Sequence, residues 1–228
     1  MKTKHLLKIA IGAASVWGLA SIGANAALIQ TVAGPVSHTG GGVGATILDT
    51  SNDTGDWMDD LTSANTFFIG FDYTINDNNS GGYFGGLGLY DGGVESSLFG
   101  NRFGGTEYGA NITGGSTGGD AGVTYTVGNT VRIVFEMSTV GGSTANDDTW
   151  NMWIDPSASD LGSPLIGGTD AEFDGVDQFT VRAGNGTAES TIANLRVSSS
   201  FAASIPEPSG PLLIGLGGLS LLLRRRAL

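Results

Sequence analysis

The chain has 228 residues, 39 of them glycine and none cysteine, and its ten Lys and Arg against 22 Asp and Glu give a formal charge of −12. Without cysteine no disulfide can staple it, which excludes a small cross-linked scaffold and leaves stability to a hydrophobic core or bound metal. The acid excess excludes nucleic acid as a partner, because phosphate neutralisation needs clustered Lys and Arg.

At the N-terminus Lys2, Lys4 and Lys8 precede an apolar run from Ile9 to Ile22, followed by Ala24-Asn25-Ala26. Basic start, apolar middle and small-residue exit are the parts of a secretory signal peptide. The run is shorter than the ~20 residues a spanning helix needs, so a removable leader over residues 1–26, cut after Ala26, is expected. With leader and tail set aside, Arg102, Arg132, Arg182 and Arg196 face 21 carboxylates, so the passenger over 27–204 carries −17. Such a domain stays soluble outside the cell and attracts cations or neutral polymers.

The passenger reads as strands and turns, with almost no helical periodicity. Ala27 to Val32 is a first strand. Phe67, Ile69, Phe71, Tyr73 and Ile75 then share one strand face, with Phe68, Gly70, Asp72 and Thr74 on the other, so one side is buried against a second layer. Tyr83 to Tyr90 and Leu98 to Phe103 follow. Val131, Ile133 and Phe135 alternate with Arg132, Val134 and Glu136; Trp150, Met152 and Ile154 alternate with Asn151 and Trp153. Phe179 and Val181 share a parity, and Ile192, Leu195 and Val197 form a last strand with imperfect alternation. Gly, Asn and Asp at 76–82, 91–93, 141–143 and 184–186 supply turns, and Gly114 to Gly119 reads as a flexible loop. About eight to ten strands without helices predict an all-β fold: two antiparallel sheets packed as a jelly-roll or β-sandwich.

The tail, 205–228, contains Pro206-Glu207-Pro208, an apolar run over about 211–223 and Arg224-Arg225-Arg226. The prolines hold an extended segment that an enzyme can grip. The run, as a helix, is roughly 20 Å long against a ~30 Å hydrocarbon core, a short transmembrane segment, and the arginines favour the cytoplasmic side. In this order the three parts resemble the PEP-CTERM sorting domain of exopolysaccharide-producing Gram-negative bacteria. That resemblance implies an exosortase-like membrane enzyme as partner, transient anchorage in the inner membrane, and delivery to the cell surface or extracellular space. A plain anchor helix is the rival expectation.

Phe67 to Tyr73, Gly86 to Asp91, Val131 to Glu136 before Trp150 to Asp155, and Asn194 to Val197 are together similar to the concanavalin A-like jelly-rolls of lectins, glucanases and laminin G domains. The glucanase branch of that family carries carboxylates spaced Glu-x-Asp-x-Glu or Glu-x-Asp-x-x-Glu on one strand face. Glu172, Asp174 and Asp177 come close to it here, except that Asp177 is a methylene short and Gly175 suggests a turn. The expectation is therefore a non-catalytic domain associated with extracellular polysaccharide, with a secreted glycan hydrolase and a purely structural matrix protein as alternatives. His38 alone cannot furnish a catalytic triad or a histidine zinc site. Calcium, which takes carboxylate and carbonyl oxygens from loops, is the candidate cofactor. Its candidate ligands are Asp72 with Asp77, Asn146, Asp147 and Asp148 with Asp155, and Asp53 with Asp56, Asp59 and Asp60. Trp57, Tyr83, Tyr90, Tyr108 and Trp153 are candidate stacking platforms for sugar rings.

Overall fold

A computed structural model describes residues 28–41, 44–51, 58, 65–78, 84–102, 104–112, 118–140, 146–184 and 186–205. The leader with Ala24 and Ala26, the whole tail from Pro206, the acidic group at 53–60, Trp57 and Tyr83 lie outside these residues. Among the described residues no helix is long and apolar enough to cross a membrane.

Among the described residues thirteen strands follow one another: β1 (Leu28–Val32), β2 (Val36–Thr39), β3 (Ala45–Asp49), β4 (Thr66–Asp77), β5 (Gly85–Asp91), β6 (Val94–Asn101), β7 (Glu107–Ile112), β8 (Gly119–Thr124), β9 (Thr130–Ser138), β10 (Asp148–Ile154), β11 (Ile166–Ala171), β12 (Val176–Ala183) and β13 (Glu189–Ser198). A short helix, α1 (Phe201–Ser204), comes last. The strands build two antiparallel sheets. One runs β1-β13-β4-β9-β10-β11, with β2 also on β13; the other runs β3-β12-β5-β6-β7-β8. The fold is the two-layer β-sandwich that the alternating pattern implies.

The period of two decides which faces meet. Phe67, Ile69, Phe71, Tyr73 and Ile75 on β4 are 5% exposed or less, as are Ile133, Phe135, Trp150, Met152, Phe179 and Val181. The opposite sheet contributes Leu87, Leu89, Phe99 and Tyr108 to the same cluster. Phe99 of one sheet stacks on Phe135 of the other at 3.9 Å between ring centroids and 5° between planes. Each such aromatic, fully buried, stabilises the fold by about 1.5–3 kcal/mol before its ordering entropy is counted.

The imperfect alternation of the last strand has a physical cause. The register against β4 jumps from Ala193–Asp72 to Arg196–Gly70, a bulge with Asn194 at φ 51°. Asn tolerates that conformation better than most residues. Ile192, Leu195 and Val197 can therefore all point inward.

Five strands among the described residues lie where none was expected: β2, β3, β8 and β11 are short, Gly- or Ser/Thr-bearing and partly exposed, whereas β7 buries Tyr108, Ala110 and Ile112 on one face. Strand β8 begins at Gly119, the end of the stretch expected to be a loop, and Gly122 inside it takes φ 72°, so this edge strand is kinked.

The outer face of β4, β9 and β10 is not bare. Phe68, Val134 and Trp153, which share that parity, are covered by Phe201 of α1 and by Ile205.

Candidate functional site

The ends of β5 and β11 and the starts of β6, β10 and β12 gather at one end of the sandwich. Pairing of Asp148 with Ala171 brings the start of β10 beside the end of β11. The chain then continues through Glu172, buried Phe173 and Asp174 to Gly175, whose φ of 84° makes the turn into β12. The N–H of Val176 donates to the Phe173 carbonyl at 3.1 Å, closing that turn.

Asp148 is 2% exposed and holds two loops at once. Its Oδ1 accepts from the N–H of Val140 at 2.8 Å and its Oδ2 from the N–H of Phe173, also at 2.8 Å. The N–H of Asp174 donates to Glu172 Oε1 at 3.2 Å, so the two side chains are set by local backbone geometry. One carboxylate oxygen from each of Asp148, Glu172 and Asp174 lies within 4.8 Å of the other two. Partial burial pushes the Glu172 carboxyl above its ordinary range, and the charges of Asp148, Asp174 and Asp147 add to the effect, against the stabilising N–H of Asp174.

Beside this cluster a cleft of about 280 Å³ opens, lined by Asp91, Val94, Glu95, Ser96, Asn146, Glu172 and Asp174. The positive charge closest in the network is already engaged: Arg182 Nη1 reaches Glu95 Oε2 at 2.7 Å and also donates to the Tyr90 hydroxyl. Two ligands on one Ca²⁺ at about 2.4 Å each can be up to about 4.8 Å apart, so the three carboxylates could share a hard cation. Hydroxyl groups of a polymer could meet the same oxygens.

The expected sites are redistributed. Glu172 and Asp174 are together, but not on a strand face; they lie on the turn between β11 and β12. Asp177 is separated from them: its Oδ2 faces the N–H of Gly92 at 3.4 Å, in a different cleft with Asp49, Ser51 and Gln178. Alternation along one strand, on which the glucanase-like triad depends, is broken by the Gly175 turn.

The expected calcium pairs are separated as well. Asp72 accepts from Arg132 at 2.8 Å and from Asn194 Nδ2 at 2.6 Å, whereas Asp77 meets Thr187 at 3.4 Å. Five residues of extended strand put about 16 Å between them. Asp155 sits at the far end of β10 from Asp148, with its Oδ1 accepting from the N–H of Arg132 at 2.6 Å. Asp147 stays beside the cluster, felt by Glu172 as a charge. Sequence reasoning named Asp148 in one group and Glu172 with Asp174 in another, and missed that one hairpin joins them; the β10–β11 pairing is the signal that links them.

Of the aromatic platforms, Tyr90, Tyr108 and Trp153 are 2% exposed or less, so none of the three offers a face to a sugar. Trp153 does lie on the outer sheet face, under Phe201 at 4.8 Å between ring centroids. His38 sits on β2 opposite Ser190.

No family model matches the chain, and no curated protein is similar to it. Among solved structures it is similar to an endo-β-1,4-glucuronan lyase of Trichoderma reesei, with TM-score 0.45 and 12% identity over 77% of this chain and 78% of the other. A bifunctional GH43-CE protein of Bacteroides eggerthii gives 0.45 and 9% over 73% and 22%, and an alginate lyase of Corynebacterium sp. gives 0.37 and 12% over 61% and 60%. At this distance the likenesses carry neither activity nor ligand across.

Proposed function

We propose that this chain is an exported, non-catalytic β-sandwich that associates with extracellular polysaccharide, its leader removed after Ala26 and its PEP-CTERM-like tail processed by an exosortase-type membrane enzyme. Delivery rests on the two ends of the sequence. The ligand reading is carried by one observation, the cleft between the β5–β6 turn and the Glu172–Asp174 turn, bordered by Asp91, Glu95, Glu172 and Asp174 around a largely apolar wall. Its carboxylates accept from sugar hydroxyls, and Val94, 71% exposed at its rim, offers an apolar contact to ring C–H groups. A calcium ion on the acidic cluster would add a positive centre for hydroxyl or uronate oxygens.

Binding of the purified protein to a panel of neutral and acidic polysaccharides, with calcium and with chelator, tests this. Retention that falls at least about tenfold in the Glu172→Gln, Asp174→Asn double variant is the expected result. Silence across the panel in both conditions would leave a purely structural matrix protein.

A second reading is favoured by the raised Glu172 carboxyl close to Asp174. A carboxyl raised above its ordinary range beside a second carboxylate about 5 Å away is the pairing a retaining glycan hydrolase uses. Reducing-sugar release that vanishes in Glu172→Gln would put this reading first.

A further inference from the structure

The segment after β13 is fixed to the domain by two independent sets of contacts. The first is apolar. Phe68 is 7% exposed, Val134 0%, Trp153 2% and Phe201 3%, a cluster separate from the main core, with Ile205 packed against it. Phe201 meets Phe68 edge-on at 5.8 Å between centroids. Without α1, three large apolar side chains would form a contiguous exposed patch on the outer sheet face.

The second set is polar. Arg132, 8% exposed, donates from Nη2 to the Ser204 carbonyl at 2.7 Å, while its Nη1 serves Asp72 at 2.8 Å and the Asn194 carbonyl at 3.2 Å. The N–H of Ser200 donates to Ser198 Oγ at 3.0 Å, and the Ser204 hydroxyl donates to the Phe201 carbonyl at 2.7 Å. Gly70 lets the segment come this close: a Cβ there would lie 2.2 Å from the Ser204 oxygen. The N–H of Ile205 still donates to the Ala202 carbonyl at 3.3 Å, and Pro206 is the next residue.

We infer that residues 200–205 form a clasp that belongs to the finished domain and sets the upstream limit for proteolytic removal of the tail. The limit rests on reading the tail as a processed signal; the clasp does not. A protease needs its substrate locally unfolded, and residues held by a buried arginine and an apolar cluster open rarely. Cutting at the peptide bond after Ile205 or beyond preserves every contact above. A cut within 199–204 removes Ser204 from Arg132, and one before Phe201 also uncovers Trp153.

Native-state digestion of the full chain with proteinase K, read by mass, tests the clasp directly. The resistant core is expected to end at Ile205 or later, and a core ending before Phe201 in the wild-type chain overturns the inference. Phe201→Ala removes the apolar anchor and Gly70→Ala pushes the Ser204 carbonyl away. Each is expected to move the end of the core upstream to about residue 200, with trimming faster by about tenfold or more. If Gly70→Ala fails to fold, Phe201→Ala decides alone; unchanged trimming in it overturns the inference. The mass of protein recovered from the native host separates the two readings. An end within 199–204 sinks the processing limit. A full-length tail sinks the sorting reading, while the digestion still decides the clasp.

Discussion

Asp148 and Glu172 show how differently two carboxylates in one cluster can serve the fold. Asp148 satisfies the N–H groups of Val140 and Phe173, both deprived of a partner when the side chain is cut back. Asp148→Ala is expected to cost about 3 kcal/mol and lower Tm by roughly 10 °C, measured by thermal melts. Glu172 works the other way. Its carboxyl is raised by burial and by like charges, so the folded state holds the proton more tightly than the unfolded state does. Ionised at neutral pH, it opposes folding; as pH falls through its raised pKa, the native state takes up the proton first and that opposition is relieved. Glu172→Gln should therefore raise Tm at pH 7 in chelator, with the gain shrinking towards pH 4.5. A lower Tm for the variant at pH 7 would contradict this account. Calcium that occupies the cluster would stabilise the wild type more than the variant, and melts with and without calcium read that difference.

The strands with two-residue alternation were legible element by element. Phe67 to Ile75 on β4, Val131 to Phe135 on β9 and Trp150 to Ile154 on β10 lie on the faces their parity assigns, because burial on one side alone writes that period into the chain. The edge strands left no such trace. Ala45–Asp49 and Gly119–Thr124 are short edge strands, Ile47 and Leu48 standing side by side in the first and Val123 alone in the second, and a half-solvated edge demands no alternation. Helix α1 was invisible for another reason: its four residues cannot show a period, and its stability comes from Arg132 and Trp153, remote in sequence. The acidic cluster was half legible, since Glu172 and Asp174 are neighbours while Asp148 joins them only through the β10–β11 hairpin. Within β13 the bulge gives a further test. Asn194, at φ 51°, donates to Asp72 while its carbonyl accepts from Arg132. Asn194→Val forces a β-branched residue into that conformation and is expected to cost about 2 kcal/mol, whereas Asn194→Gly should cost less; paired denaturant titrations compare them.

At the level of the whole molecule the acid excess is the dominant field. With four arginines against 21 carboxylates in the passenger, self-repulsion opposes compaction. Raising NaCl from about 10 mM to about 0.5 M is expected to raise Tm, because the Debye length falls from roughly 30 Å to a few ångströms. A Tm that drops with salt would mean that the attractive pairs of Arg132 and Arg182 outweigh the net charge. Cysteine-free stability has to come from the stacked inner faces, and the Phe99–Phe135 contact is one place where the two layers meet ring on ring.

The kink at Gly122 bears on how this edge of the sandwich behaves when many copies are crowded together. A border strand bent in mid-course, with Asp120 on it, presents no straight row of amides and carbonyls for a second molecule to extend. At high local concentration this edge therefore offers a neighbouring copy no template on which to grow a fibril.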